Sequence, residues 1–431
     1  MLSDRSLAYW QRIKWIEAFV LLLAIPILLF PERLLLLTAL VLALLATLWL
    51  APLAAARSPL LPPTPFNAAL LILAAALIPA ILATADPDLT LPKATGIILG
   101  FAAWRYMVIA LRRRQQVSWA LGAYLLFGVG LVCAGLLNAD WLQKSTSQVP
   151  VLGTVLAQGV TTDNPLLAGT GIHPNQIAGT IMLILPLLIA VLIDYQFPHN
   201  KTLRWLVGAA ALFCAAALLL TQSRSGWVGL AGGVVVMLLL WSMLLARSAK
   251  RTAVRLLLLA GMLAVLLFFF INGPRQMQQL WFDPPDTSAV GSLATLNFRQ
   301  DIWPWALRAI ADFPYTGTGL GTFRRVAGRL YPVAVDPAFD FAHAHNAFLQ
   351  VALDVGLPGL VGYSAILLLC AAVGWRIARG DKEFRPYAIG LLGSLAAFHT
   401  YGLADTLALG SKPFLLFWVL IALLAAMIRL R

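Results

Sequence analysis

The sequence predicts an all-α polytopic membrane protein, and three observations carry the prediction. Of its 431 residues 61% are hydrophobic and only 11% are charged, a balance outside the range of soluble globular domains. Apolar runs recur from end to end, each of the roughly 17–25 residues that a helix needs to cross a hydrocarbon core. These runs are continuous, whereas the strands of a membrane barrel are short and alternate, so helices are the elements expected.

About twelve spans are expected, at 13–31, 33–54, 66–84, 90–111, 117–138, 174–194, 203–222, 226–246, 253–272, 346–375, 385–406 and 413–429, within a single integral membrane domain over residues 1–431. The first run follows Arg12 and Lys14 in the manner of a signal peptide. It holds Glu17 and Pro26, lacks a small-residue cleavage site and leads straight into a second span, so it reads as retained. Cys133, Cys214 and Cys370 lie on separate spans and read as packing residues, without disulfide or metal spacing. No internal repeat or low-complexity linker divides the chain.

The net charge of +13 is interpreted by where the charges fall. An even number of spans puts both termini on one side. If that side is cytoplasmic, the inner segments collect Arg112, Arg113, Arg114, Lys201, Arg204, Lys250, Arg251, Arg376, Arg379, Lys382 and Arg385 among others, and the short outer connections hold only Arg33, Lys93, Lys144, Arg224 and Lys412. This bias orients the protein. It accounts for the basic surplus through topology and membrane lipids, with no nucleic-acid partner needed.

Two longer connections fall on the outer face, about 138–173 and about 273–345. The second is far longer than an ordinary helix–helix connection, and such loops are usually functional. All its cations are arginines: Arg275, Arg299, Arg308, Arg324, Arg325 and Arg329. The planar fork of arginine suits phosphate, while ion pairs with the loop's own aspartates are the equal alternative. Within the loop, 298–314 is expected as a short amphipathic helix with Pro304 in its first turn, Ala306, Ile310 and Phe313 on one face, and Trp303 and Trp305 at the bilayer interface. The glycine-alternating stretch 315–323 reads as a turn.

Candidate chemistry gathers at the same face. Arg224 stands between Ser223 and Ser225 at the expected start of a helix, where the N-terminus favours anions; snorkelling to headgroups is the alternative. His343 and His345 end the long loop, and histidine exchanges protons near neutral pH, so either could act as a general base or be an interfacial residue. His173, before Pro174 and Asn175, is a weaker case of the same kind, and His199 and His399 read as structural. No metal-ligand spacing or nucleophile triad emerges, so no cofactor or metal is expected.

His345, Asn346, Gly356 and Gly359, with SRSG at 223–226, HPNQIAG at 173–179 and the FRQDIW and GTGLGTF runs of the long loop, resemble the signature of bacterial O-antigen ligases. The wider superfamily includes O-antigen polymerases and protein O-oligosaccharyltransferases. The resemblance implies an inner-membrane glycosyltransferase with a periplasmic site, which moves a glycan from undecaprenyl diphosphate to a lipid A-core sugar hydroxyl. By carry-over His345 is the base or acceptor-orienting residue and Arg224 and Arg299 hold the diphosphate. Asn346, His343, Ser223, Arg324, Arg325, His173 and Asn175 are possible supports. Protein oligosaccharyltransferases carry a longer C-terminal region, so a ligase is the first expectation and a polymerase the second. A lipid-linked-glycan transporter is the reading from another class. It would show repeated halves and polar groups near mid-membrane, where this chain offers only Asp354 and Arg105.

Overall fold

The computed structural model describes residues 4–54, 60–139, 172–193, 201–245, 251–257, 259–261, 263, 294–332 and 343–431. Most of the expected ninth span at 253–272, the outer connection over 140–171 and the parts of the long loop at 273–293 and 333–342 lie outside the described residues, as do His199 and Arg275. Among the described residues all regular structure is helical, without a strand. Their helices are α1 (Asp4–Leu29), α2 (Leu35–Ala54), α3 (Asn67–Leu82), α4 (Pro87–Ala110), α5 (Arg114–Leu137), α6 (Pro174–Ile193), α7 (Lys201–Thr221), α8 (Arg224–Leu244), α9 (Ala294–Asp312), α10 (Phe323–Leu330), α11 (Ala347–Gly380), α12 (Arg385–Tyr401) and α13 (Leu415–Leu430).

A helix lies at each expected span, the described residues of the ninth, 253–257, 259–261 and 263, being helical as well. Among the described residues six segments are long and apolar enough to cross a membrane: α5, α6, α7, α8, α11 and α13 with the turn that leads into it. The helices at Leu35–Leu50 and Asn67–Leu82 are apolar but shorter. Helix α6 is the axis of the bundle. Almost all its residues from Ile177 to Val191 are buried, and it packs against α5, α7, α8 and α12. Glycines let neighbours approach: a β-carbon on Gly233 of α8 would collide with Ala397 and the Gly393 carbonyl of α12, a close packing of small residues common between membrane helices.

The two intramembrane exceptions have different fates. Arg105 of α4 is paired with Glu17 of α1, donates Nε to the Leu60 carbonyl at 3.1 Å and lies over the Trp49 ring, so it ties α1 to α4. Asp354 sits in α11 just before a break. Val355 leaves helical geometry, and Gly356 has φ 68° and ψ 179°, a conformation essentially reserved for glycine. A short piece of α11 thus begins at Ala347 and a long apolar piece resumes beyond the break.

The loop helix differs from expectation in two respects. Helix α9 begins at Ala294, so Pro304 lies in its interior instead of its first turn. Its tryptophans face protein: Trp303 donates Nε1 to the Ala344 carbonyl at 3.0 Å, and Trp305 stacks on Tyr331 with centroids 5.9 Å apart. Both indoles thereby find partners that the sequence does not reveal. Ile302, Ala306, Ala309 and Ile310 form the buried face and pack with Phe323, Ala327, Ala352 and Leu353. The turn at 315–323 is present, and Gly317, Gly319 and Gly321 all take positive φ.

Candidate active site

The starts of α6, α8 and α11, helix α9 and the turn after α12 converge at one end of the bundle. Their centre is Asp405, in the turn between α12 and α13, with a side chain only 3% exposed. His345 Nδ1 lies 3.5 Å from Asp405 Oδ1, and His343 Nε2 lies 3.8 Å from the same oxygen. Asn175 donates Nδ2 to Asp405 Oδ2 at 2.7 Å, and the Thr406 amide donates to Oδ1 at 2.8 Å. Both oxygens of a buried carboxylate are therefore engaged, as burial of a charge requires.

Local structure explains how each side chain arrives. His345 has φ 50°, in the left-handed region that non-glycine residues seldom adopt. This reversal lets residues 343 and 345 flank one carboxylate, with their rings edge-on and centroids 4.3 Å apart. Asn346 is the N-cap of α11: its side chain accepts from the amides of Phe348 and Leu349 at 3.0 and 3.1 Å, and its Nδ2 donates to the Leu403 carbonyl at 3.1 Å. The Ala347 amide donates to the Gly402 carbonyl at 2.7 Å. The histidine segment and the Asp405 turn are thus joined by backbone bonds. His173 Nδ1 accepts from the Asn175 amide at 3.1 Å, and the Tyr401 hydroxyl donates to the Asn175 carbonyl at 2.8 Å.

Ser223 caps α8, accepting from the Gly226 amide at 3.2 Å, which places Arg224 at the first position of that helix with an exposed side chain. Arg299 of α9 is partly buried. Burial lowers its proton affinity, Asp405 and Tyr401 act in the opposite sense, and the Arg224 charge adds to the lowering. The two arginines are therefore electrostatic neighbours, and Arg299 also feels Asp405. Burial, with the neighbouring His345, brings His343 down to about 3 against the pull of Asp405, so His343 is neutral at physiological pH. For Asp405, burial raises the pKa, but the His345 hydrogen bond and the nearby His343 outweigh it and leave the carboxyl below its usual range.

Of the residues singled out from the sequence, His345, His343, Arg224, Arg299, Asn346, Ser223, Asn175 and His173 come together here. Arg325 does not: its Nε pairs with Asp86 Oδ2 at 2.9 Å. Arg324 is an electrostatic neighbour of Lys93, which also feels Asp354. His399 is structural as expected, between the Tyr363 hydroxyl at 2.8 Å and the Leu395 carbonyl at 2.7 Å. Asp405 is absent from the sequence-derived candidates, because the first expected span of that hairpin runs to 406 whereas α12 ends at Tyr401. A charge at the end of an apolar run was the available signal.

His343, His345 and Asp405 offer three ligand atoms within 4.8 Å of one another, a grouping that could hold a cation and that motif spacing had not indicated. Arg299 beside it adds positive charge that opposes one. What the arrangement offers chemically is a histidine oriented by a carboxylate, next to two guanidinium groups: a proton acceptor beside an anion site.

Residues 209–364 match a family model described as O-antigen ligase. The match contains Arg224, Arg299, His343 and His345 and stops before Asp405. No curated protein matches the chain.

Proposed function

The chain is a member of the O-antigen ligase family across residues 209–364, and on that premise we propose that it is an O-antigen ligase. It takes a glycan from undecaprenyl diphosphate at the periplasmic face of the bacterial inner membrane and joins it to a lipid A-core sugar hydroxyl, without a metal. The observation that carries this reading is the convergence of His345 and Asp405 with Arg299 and Arg224 from four separate chain segments.

The proposed chemistry is a direct displacement. His345 turns Nδ1 toward Asp405, so with the proton on Nδ1 its Nε2 keeps a lone pair, the arrangement by which a carboxylate fixes a histidine tautomer. Nε2 takes the proton of the acceptor hydroxyl as that oxygen bonds to the anomeric carbon. The bond from that carbon to the diphosphate oxygen breaks, and its electron pair leaves with the diphosphate. Arg224 and Arg299 meet the departing charge, the stabilisation that a cation supplies in other phosphate-leaving reactions. Helix α8 adds its N-terminal amides, which favour an anion. A site at a bundle end suits a polyprenyl donor, whose phosphates must emerge while its tail stays in the bilayer. The one-sided cluster also favours an enzyme over a transporter.

The test supplies purified protein with lipid-linked glycan and either lipid A-core or a second lipid-linked glycan. Glycosylated lipid A-core with release of undecaprenyl diphosphate is expected. A lengthened lipid-linked glycan would assign a polymerase instead, and no consumption of donor would reject a transferase.

A further inference from the structure

Asp354 is the deepest buried acid beside the candidate site, with a side chain wholly removed from solvent, and the displacement chemistry does not use it. Its Oδ1 accepts from two donors, the Gly321 amide at 2.9 Å and Gln350 Nε2 at 2.8 Å. Gln350, itself buried, passes the connection on: its Oε1 accepts from the Ala344 amide at 2.8 Å. Ala344 is the residue between His343 and His345. Its carbonyl accepts from Trp303 Nε1 at 3.0 Å, and Trp303 lies one helical turn beyond Arg299 on α9. Both backbone groups of the residue between the histidines are thus fixed by side chains, one from α11 and one from the helix that carries Arg299.

A second set of bonds fixes α9 to the same point. The break in α11 frees backbone groups, and the turn following α9 takes them up. Thr318 donates its amide and hydroxyl to the Leu353 carbonyl at 2.7 and 3.1 Å, and the Leu357 amide donates to the Pro314 carbonyl at 2.7 Å. Glycine is required on both sides of this junction: a β-carbon on Gly317 would collide with the Leu353 carbonyl, and one on Gly356 with the Tyr315 carbonyl. Asp354, at the break, joins this junction to the histidine segment through Gln350.

We propose that Asp354 and Gln350 are positioning residues that set His345 relative to Arg299, coupling the group that acts on the acceptor to the group that holds the donor. The proposal rests on the roles given above to those two residues. Misplacement of a reacting group by about an ångström costs on the order of a hundredfold, so a loss of that size in turnover is the expected effect of cutting the relay. Buried polar bonds in a helical protein also serve plain stability, and the experiment must separate the two.

Turnover, donor affinity and melting temperature are measured for Gln350→Leu, Asp354→Leu and Asp354→Asn, and Gln350→Leu is repeated in the His345→Ala background on its residual rate. Gln350→Leu is expected to lower turnover on the order of a hundredfold in the parent with donor affinity unchanged, and to add no further loss in His345→Ala. Asp354→Leu is expected to weaken donor affinity as well, since it also releases Gly321. Asp354→Asn is expected to keep most activity, because the amide oxygen can accept both bonds. A folded Gln350→Leu protein that turns over like the parent while His345→Ala is inactive overturns the relay and leaves His345 in place. A His345→Ala protein as active as the parent instead removes the reading beneath it. Equal Gln350→Leu losses in both backgrounds, or an Asp354→Asn protein as impaired as Asp354→Leu, also overturn the relay, the latter by assigning the effect to the carboxylate's charge. If Gln350→Leu fails to fold, Gln350→Met, of matching length, takes its place with the same expected results.

Discussion

At the end of the bundle away from Asp405, expected from the sequence to be the cytoplasmic one, Arg114 binds Asp381 at 2.6 Å and Glu383 at 2.9 Å, Arg385 donates to the Ala378 carbonyl at 2.9 Å, and Arg429 donates to the Val108 carbonyl at 2.6 Å. There each cation ties helix ends together with partners of its own: Arg114 at the start of α5 holds the turn after α11, Arg429 of α13 holds α4, and Arg385 holds the end of α11. At the opposite end charge is gathered from distant segments around Asp405, with two histidines on one of its oxygens and Asn175 on the other. Pairing of this kind joins one helix end to another. A buried carboxylate that orients a histidine next to two arginines is an assembly whose geometry is dictated by something other than the ends of helices. The comparison teaches that, in a chain this apolar, where the charges converge tells more than how many there are.

The largest effect expected from breaking the second end is at the histidine. His345→Ala should lower turnover by roughly 10²–10⁴-fold, the usual contribution of a general base, and an assay with saturating donor and acceptor checks it. Arg224→Ala and Arg299→Ala should each cost on the order of a hundredfold, about 2.7 kcal/mol of transition-state stabilisation. Lysine at either position should rescue poorly because it keeps the charge and loses the fork. Full rescue by lysine would show that a point charge suffices and that bidentate contact is absent.

A smaller effect is expected with pH. Folded His343 stays neutral to about 3, while an unfolded histidine protonates near ~6.5. Between those values the unfolded chain binds more protons, so stability is full above ~6.5 and falls as pH drops through that window. Asp405 has the opposite logic. Its depressed carboxyl contributes stability above the unfolded value of ~3.9, lost only as pH falls further. Melting in detergent between pH 4 and 6.5 therefore contains the His343 contribution, which is read as the difference from His343→Gln, a variant that should flatten the slope there. An unchanged slope would place the acid sensitivity elsewhere.

The smallest effect belongs to the first end. Arg114→Ala removes two pairs, with Asp381 and Glu383, whose arginine is 38% exposed, so stability should fall by about 1 kcal/mol and turnover should stay within roughly twofold of the parent. A large loss of turnover would blur the contrast between the two ends.

Much of this was legible in the sequence, for physical reasons that also explain the rest. Continuous apolar runs fix where membrane helices lie, and a helix is found at each expected span within the described residues. His345 and Arg224 were visible because polar groups at the edge of an apolar run are conspicuous. Asp405 was not: its partners His343 and His345 lie some sixty residues earlier, and only the tertiary fold brings them within reach. The same holds for Trp303, whose indole suits a lipid interface equally well until the Ala344 carbonyl is placed beside it. Arg325 had the fork that suits phosphate, yet Asp86 from a distant turn engages it. The break at Gly356 left a trace in the glycine itself, but its meaning required the turn that packs against it.

The central claim is a division of labour, with arginines on the donor and histidine on the acceptor. Equilibrium binding of lipid-linked glycan to Arg299→Ala and His345→Ala, measured beside turnover in the same preparations, tests it most directly. Arg299→Ala is expected to weaken donor binding together with turnover, whereas His345→Ala should bind donor like the parent and fail to transfer it. Donor binding lost in His345→Ala and intact in Arg299→Ala would contradict it.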